Sequence, residues 1–363
     1  MSRLFWASLR PAVLLALFWC VGCSSPVNTG PVATVPVYYA TTRKVAVEAT
    51  PEKAFGTAAE ERRKVNYGRA LVELGPKARI VSYDPPLAGG AYLPVGKFYP
   101  EVRSQISSER PLIVYVHGFN NTFATAAHRA ALFTHQLQPD AASRPAIYSW
   151  PSASKVLAYS RDEESALLNQ DRIFHFLNKL HEGDVTTPAV LIGHSLGARA
   201  LTYGLRDIFL FRAGGGIHGV PKQPMFSHLV LLEADVNRLY FGENLLRASA
   251  LCGHITLYVS KRDRALGAST FVHGGYDRLG QKVPGHEDSV LGPRASERTA
   301  KKIDVIDASA VRSDIFGHAY DQPVLFEDLR ALIRGKNAAE REGHTLEKDS
   351  SGSFYRLLPT PRT

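Results

Sequence analysis

The sequence predicts an α/β fold with a mostly parallel central sheet and helices on both faces, and two observations predict it. From residue 111 onward, apolar runs of strand length recur, and most of the gaps between them can hold a helix. These runs are apolar on both faces, as parallel strands covered by helices must be. They comprise residues 112–116, 146–149, 189–193, 229–233, 255–259 and 303–307.

The composition predicts one large globular fold. The chain has 363 residues, of which 45% are hydrophobic and 21% charged, which excludes a disordered chain and a disulfide mini-protein. Cys20, Cys23 and Cys252 are too few for a disulfide framework or a paired CxxC metal site. The net charge of +9 comes from scattered basic residues. We therefore expect no nucleic-acid partner and a loose attraction to anionic surfaces such as lipid headgroups.

The N-terminus is predicted to be a lipoprotein signal peptide. Residues 11–22 form an apolar run behind an arginine-bearing start, and this run is too short to span a bilayer comfortably. Small residues before Cys23 resemble a bacterial lipobox, although Cys20 stands where leucine is usual. Cleavage before Cys23 would leave a lipid-modified cysteine, and Ser24 after it is typical of lipoproteins sent to an outer membrane. The alternative is an ordinary secretory signal that is cut elsewhere.

The rest of the chain divides by composition. Residues 23–36 are small, polar and proline-bearing, as expected of a tether between the lipid and the fold. The main domain is predicted over 37–335, with 37–110 as an N-terminal extension of the fold. Residues 336–363 are polar and predicted to be a flexible tail. The polar stretch 281–302 is interpreted as either a lid or a surface loop.

The most specific motif is the G-x-S-x-G sequence of residues 193–197. It follows the apolar run 189–192 and precedes a helix-like segment over 198–205, so its context is strand, tight turn, helix. This order is typical of a nucleophile elbow, which makes Ser195 the candidate nucleophile. His194 lies inside the turn and is interpreted as structural.

A serine needs a base to accept its proton, and the candidates are histidines downstream of Ser195. Only His318 comes shortly after the last strand, in a segment that a loop could carry over the elbow. His286 and His273 are interpreted as solvated or packing residues. We therefore expect His318 to be the base.

Two aspartates compete to orient that base. Asp263 follows the run 255–259, and Asp235 follows the run 229–233, so both stand at carboxyl ends of strands. We favour Asp263, because the acid most often follows the strand before the last one. Asp235 remains the alternative, with holding a loop or the substrate as its other interpretation.

The oxyanion of an acyl-transfer intermediate requires two backbone N–H donors. Leu196, directly after the nucleophile, is predicted to supply one. His117-Gly118-Phe119 follows the run 112–116, and Phe119 is predicted to supply the other, with Gly118 letting the backbone approach the substrate. The alternative is that His117-Gly118 is merely a turn.

Six segments, in this order, resemble a bacterial α/β-hydrolase family of unknown function with an esterase- or lipase-like fold. The resemblance covers about residues 37–335. It implies the α/β-hydrolase fold and a triad of Ser195, Asp263 and His318, but no substrate. The segments are VHGFNNTFATAAHRAA, YSWPSASKVLAYSRDEESA, LIGHSLGARAL, LLEADV, YVSKRDRALGAS and GHAY.

These observations together predict a serine hydrolase, a carboxylesterase or lipase that cleaves esters through an acyl-enzyme on Ser195. No cofactor or metal is implied. His117, Gly118, Trp150 and Tyr159 are the candidate pocket residues, with packing as the other interpretation of Trp150 and Tyr159. The alternatives are a peptidase or acyltransferase with the same triad, and a catalytically idle, lipid-anchored scaffold of the envelope.

Overall fold

The structure is a computed structural model, and a central sheet dominates it. The parts of the chain that it describes are residues 33–46, 50–61, 64–75, 77–87, 92–138, 144–155, 158–181, 186–216, 219–281, 302–311, 322–349 and 354–360. Cys23, the predicted signal peptide, most of 281–302, and His286 and His318 lie outside these residues.

Strands and helices alternate along most of the chain. The strands are β1 (Thr34–Thr41), β2 (Arg43–Val45), β3 (Phe55–Ala59), β4 (Asn66–Glu73), β5 (Arg79–Asp84), β6 (Leu112–Val116), β7 (Ala146–Ser149), β8 (Thr187–His194), β9 (Phe226–Leu232), β10 (Cys252–Val259), β11 (Ile303–Asp307), β12 (Leu346–Lys348) and β13 (Tyr355–Leu357). The α-helices are α1 (Val95–Arg103), α2 (Phe123–Leu137), α3 (Tyr159–Leu168), α4 (Gln170–Leu180), α5 (Leu196–Ala213), α6 (Arg238–Leu251), α7 (Arg264–Val272), α8 (Pro323–Ile333) and α9 (Ala338–Arg341).

Eleven of the described strands form one sheet, in the order β12-β13-β11-β10-β9-β8-β6-β7-β1-β4-β5. Every neighbouring pair from β13 to β1 in this order is parallel. The antiparallel pairs are β12–β13 at one edge of the sheet and β1–β4 and β4–β5 toward the other. The predicted fold class is confirmed. The six apolar runs of the sequence coincide with β6 to β11, within three residues at each end.

Hydrophobic side chains are buried on both faces of the sheet. On adjacent strands, Val114 and Leu191 belong to one buried cluster, whereas Ile113 and Ile192 belong to the other. Helices α4 and α5 cover the first face, and α2 and α8 cover the second. This arrangement explains why the central strands carry apolar residues on both faces.

The prediction of a flexible tail over 336–363 is wrong for its described part. β13 pairs with β11 in parallel, and β12 pairs with β13. Leu346 and Leu357 are fully buried, and the Arg341 side chain is buried as well. Two strands of three residues each, largely polar in sequence, are too short to be recognised from an apolar pattern. The first strand likewise begins at Thr34, inside the segment predicted to be a tether.

The parallel strands β8, β9, β10 and β11 are consecutive in the sheet, so their carboxyl ends lie along one edge. Open α/β sheets place their sites at this edge. Within the described ranges, no helix has both the length and the apolar character needed to cross a membrane.

Candidate active site

Ser195 lies at a sharp turn between a buried strand and a helix. β8 ends at His194 and α5 begins at Leu196, so Ser195 alone makes the turn. Its backbone has φ 52° and ψ −121°. Such a conformation costs a non-glycine residue about 1–3 kcal/mol. The Ser195 N–H donates to the carbonyl of Leu232 at 3.0 Å, which holds the turn against the end of β9. This is the backbone geometry of a nucleophile elbow.

Both glycines of the motif are required by close backbone packing. A Cβ on Gly193 would lie 2.7 Å from Cα of Ala198, in the first turn of α5. A Cβ on Gly197 would lie 2.1 Å from the carbonyl oxygen of Val116, at the end of β6. Any larger residue would therefore push α5 away from the strands that position Ser195.

The loop after β6 lies directly against Ser195. β6 and β8 are paired in parallel, so the segment after Val116 leaves the sheet beside the elbow. A Cβ on Gly118 would lie 2.8 Å from Cβ of Ser195 and 2.7 Å from the carbonyl oxygen of His194. Gly118 is thus the residue that lets this loop reach the nucleophile.

The two predicted oxyanion donors flank this contact. Leu196 is the first residue of α5, where a backbone N–H has no acceptor within its own helix and the helix dipole is positive. Phe119 directly follows Gly118, and its partly buried ring packs edge to face on Tyr159 with centroids 5.6 Å apart. The donor roles of Leu196 and Phe119 remain predictions.

A fully buried arginine ties this loop to the N-terminal strands. Arg43 donates from Nη2 to the carbonyl of Asn121 at 2.7 Å and from Nη1 to the carbonyl of Gly56 at 3.0 Å. Its Nε donates to Oγ of Ser149 at 2.9 Å. Burial lowers the pKa of Arg43 to about 9, although Asp162 opposes the shift. The guanidinium therefore links the loop after β6 to β7 and to the segment carrying β3.

Asp162 holds the same loop from the other side. This buried carboxylate accepts the backbone N–H of Asn120 at 3.2 Å, the backbone N–H of Ala153 at 2.6 Å, and the hydroxyl of Ser152. Asn120 needs such support, because its φ of 57° lies in the left-handed region. Asp162 therefore fixes a loop whose own backbone is unfavourable.

His117 and Trp150 are both fully buried, which corrects their assignment to the pocket. Their rings stack with centroids 4.7 Å apart, and the Trp150 indole N–H donates to the carbonyl of His117 at 2.9 Å. Burial, with the nearby Arg43 charge, lowers the pKa of His117 to about 3. The imidazole is therefore neutral near pH 7, and the two rings are packing residues with no exposed surface to line a pocket.

Asp235 is buried in a network of cations and hydroxyls. Its Oδ1 accepts from Nη2 of Arg199 at 3.1 Å and from Oγ of Ser269 at 2.9 Å, and Nε of Arg278 lies 3.4 Å away. The Tyr159 hydroxyl donates to Oδ2. Burial raises the pKa of Asp235, but Arg199 and Arg278 outweigh it, so the pKa is lowered.

This network also reaches the elbow. The Asp235 N–H donates to the carbonyl of Ser195 at 3.3 Å, and Nε of Arg199 donates to the carbonyl of Asp235 at 2.6 Å. Arg199 also pairs with Glu163, which contacts Nε2 of His273 at 2.6 Å. Asp235 is therefore joined to Ser195 through the backbone, and its carboxylate is already neutralised.

Asp263 stands at the end of the neighbouring strand. It is buried and caps α7, with Oδ1 accepting the N–H of Leu266 at 2.8 Å. Because β8, β9 and β10 are consecutive and parallel, Ser195, Asp235 and Asp263 follow strands spaced about 4.8 Å apart. His318, the predicted base, lies outside the described residues.

The pairing of the buried charges that hold these loops has no signature in the local sequence pattern. Arg43, Asp162 and Arg199 contact groups far away in the chain, and no local spacing predicts such pairs. Arg43 and Arg199 do give one signal, because each lies within or beside an apolar or strand-like run, where an unpaired charge is rarely tolerated. Asp162 lies in a polar run and gives no such signal.

A parallel sheet with a strained serine between strand and helix, beside a glycine-bearing loop, defines an α/β-hydrolase. The comparisons with known proteins give the particular family. Residues 99–328 match the model of the family described as "Alpha/beta hydrolase of unknown function (DUF900)". This match spans well over half of the chain, so the chain belongs to that family, and the resemblance of the sequence is confirmed.

Two further comparisons are less informative. A solved structure described as "the putative cell surface hydrolase from Lactobacillus plantarum WCFS1" is 12% identical, with a TM-score of 0.32. The match covers 68% of this chain and 96% of that one. No curated protein matches this chain.

Proposed function

We propose that this protein is a serine hydrolase that cleaves carboxylic esters through an acyl-enzyme on Ser195. One observation carries the proposal: Gly118 brings the loop after β6 into contact with Ser195 at a strained elbow. A nucleophile at this position stands between two sets of backbone N–H groups, which is the arrangement that acyl transfer requires. The family membership supports a hydrolase and leaves the substrate open.

The reaction follows the usual order of acyl transfer. His318 accepts the proton of Ser195 as the serine oxygen attacks the ester carbonyl carbon. The N–H groups of Phe119 and Leu196 hold the oxyanion, and His318 then gives its proton to the leaving alcohol. Water repeats the sequence on the acyl-enzyme and releases the acid.

We assign the orienting acid to Asp263 rather than to Asp235. The Asp235 carboxylate is surrounded by Arg199 and Arg278, and it also accepts from two hydroxyls. The acid of a triad must stabilise the imidazolium that forms when the histidine accepts a proton. Next to Asp235, the positive charges of Arg199 and Arg278 would disfavour that imidazolium. Asp235 instead serves to hold the elbow through its backbone N–H.

The substrate class is an ester with an apolar acyl group. Phe119 and Tyr159 pack on each other beside Ser195, and both are only partly buried, so their rings offer an apolar wall. Attachment of lipid at Cys23 would anchor the enzyme to a bacterial envelope membrane, facing the periplasm or the surface. Membrane-borne esters are then within its reach.

Activity-based labelling tests the proposal. The purified protein is treated with a fluorophosphonate probe and with p-nitrophenyl esters of increasing chain length, beside Ser195→Ala and Ser227→Ala. Ser227 is the control because it lies on the same strand, β9, that contacts the elbow, but at the N-terminal end of that strand. Its hydroxyl donates to the backbone carbonyl of Ala189. We expect Ser195→Ala to lose both labelling and turnover and Ser227→Ala to keep them. A wild type that neither labels nor hydrolyses any ester would favour the idle scaffold.

The choice of acid is tested by two matched substitutions. Asp263→Asn removes the charge that orients the base, and we expect kcat to fall by about 10³ or more, since the corresponding change in a known triad costs about 10⁴. Asp235→Asn is expected to cost less in kcat and more in stability, because it removes the buried negative charge that lies between Arg199 and Arg278. The reverse ranking of the two kcat values would transfer the role to Asp235.

The lipid anchor is tested separately by metabolic labelling with an alkyne fatty acid. We expect the label on the wild type and its loss in Cys23→Ser, with Cys252→Ser as the control. Labelling that survives Cys23→Ser would overturn this attachment site.

A further inference from the structure

Large apolar side chains are most exposed at one place on the described surface. Phe271, Leu239 and Tyr276 have 73%, 67% and 56% of their surface exposed, more than any other large apolar residue of the described segments. We call these three residues the apolar patch. Exposed apolar residues are ordinary when scattered, but clustered ones mark an interaction surface.

Backbone hydrogen bonds show that the patch is one cluster. The N–H of Arg238 donates to the carbonyl of Asp277 at 3.0 Å, which brings the neighbours Leu239 and Tyr276 to the same turn. The N–H of Gly275 donates to the carbonyl of Thr270 at 2.9 Å, which folds the chain of Tyr276 back on the end of α7, beside Phe271.

The patch borders the candidate active site. Leu239 is in the first turn of α6, after the loop that carries Asp235. Phe271 is on α7, the helix capped by Asp263, and Ser269 of the same helix contacts both Tyr159 and Asp235. The apolar patch therefore lies at the carboxyl edge of the sheet, on the same side as Ser195.

A basic pocket lies at the other end of α7. Its described lining is Lys261, Arg262, Asp307, Ser309, Ala310 and Arg356, around a volume of about 320 Å³. Lys261 and Arg262 are exposed, whereas Asp307 is buried. Arg356 is half-buried and pairs with Glu347 at 3.6 Å, so Lys261 and Arg262 carry the positive charge that the pocket presents to solvent. This excess of positive charge suits an anionic group, such as the phosphate of a lipid.

Apolar and aromatic side chains next to exposed basic residues are the composition of surfaces that bind the headgroup region of membranes. We propose that this edge of the enzyme docks on an anionic lipid bilayer. The apolar patch enters the headgroup region, and the basic pocket takes a lipid phosphate. A second copy of the chain fits less well, because a symmetric contact would bring the same cations together.

Docking also specifies the substrate of the proposed hydrolase, and this part rests on the proposed function. An active site pressed against the bilayer receives esters directly from the membrane rather than from solution. Turnover should therefore be faster for an ester embedded in anionic vesicles than for the same ester in zwitterionic ones.

Photo-crosslinking with lipids tests the docking independently of activity. The full chain is reconstituted into phosphatidylglycerol vesicles containing a diazirine lipid, and cross-linked peptides are identified by mass spectrometry. We expect cross-links on the peptides that carry residues 239 and 271–276, and at least fivefold fewer of them in phosphatidylcholine vesicles. Lipid cross-links confined to residues before 33, or cross-links between protein copies through this patch, would overturn the proposal.

A matched pair of double variants completes the experiment. Phe271→Ser/Tyr276→Ser removes most of the patch, whereas Leu210→Ser/Phe211→Ser removes two exposed apolar residues near the far end of α5, about 20 Å along the helix. Only the first should lose cross-links, at least fivefold, and turnover of a vesicle-borne ester, with hydrolysis of a soluble ester unchanged. Equal losses in both pairs would refute the docking surface. A wild type without esterase activity would contradict the proposed function and leave the cross-linking result to decide docking.

Discussion

Replacing Ser195 with glycine should stabilise the protein relative to replacing it with alanine. Alanine keeps the strain at φ 52° and ψ −121°, which amounts to about 1–3 kcal/mol, whereas glycine relieves it. Against this gain, glycine loses about 0.5–1 kcal/mol more backbone entropy on folding than alanine. The difference leaves Ser195→Gly more stable than Ser195→Ala by about 1 kcal/mol.

Urea unfolding of Ser195→Gly and Ser195→Ala measures this difference in the free energy of unfolding, and its sign is what tests the reasoning. Both variants lack the nucleophile, so fluorophosphonate labelling should be absent from each. The same pair at Ser227, an ordinary position within β9, is the control. There glycine should be less stable than alanine, because no strain is relieved. If the glycine variant is less stable than the alanine variant at both positions, the backbone of Ser195 is not strained, and the reasoning is refuted.

Three further outcomes are expected. Gly118→Ala should reduce kcat by about 10² or more, since the new Cβ would lie 2.8 Å from Cβ of Ser195. Steady-state kinetics on a soluble ester measures this change, and an unchanged kcat would contradict the contact. Arg341→Met should lower the free energy of unfolding in urea by about 3–5 kcal/mol, because it leaves the buried Asp328 without its cation. The double variant Arg341→Met/Asp328→Leu should recover most of this stability, and no recovery would refute the pairing. Burial lowers the pKa of His117 to about 3, so below pH 6.5 the unfolded chain binds a proton that the folded chain does not, and the free energy of unfolding should fall by up to about 1.4 kcal/mol per pH unit between pH 6.5 and 3. Urea unfolding across this range should show a shallower dependence of that free energy on pH for His117→Gln than for the wild type. Equal slopes would contradict the lowered pKa.

The sequence predicted the parts of the fold that depend on local pattern. The central strands were recognisable because they are apolar on both faces, and the elbow because its glycines are needed at fixed spacing. β12 and β13 could not be recognised, since each has three residues and buries a single side chain, Leu346 in β12 and Leu357 in β13. The N-terminal strands β4 and β5 were likewise assigned to an extension, because they pair antiparallel near the edge of the sheet and form no long apolar run.

The loops of the candidate site could not be predicted for a different physical reason. A loop has no ladder of backbone hydrogen bonds, so its buried N–H and C=O groups need partners from elsewhere. Arg43 donates to the loop carbonyl of Asn121 and to the carbonyl of Gly56 in β3, each more than ten residues away, and Asp162 supplies an acceptor to two loop N–H groups. Such pairs have no periodicity along the chain.

This use of buried charge also explains how a loop can be held as firmly as a strand. A buried ion is costly unless every part of it is bonded, so Arg43, Asp162 and Asp235 each tolerate few arrangements of the backbone around them. The loops that they bond are those that follow β6 and β9 and contact the elbow at Gly118 and at the carbonyl of Ser195. The cost of burying these charges therefore fixes the backbone that faces the nucleophile before any substrate binds, which is the condition for electrostatic stabilisation of an oxyanion.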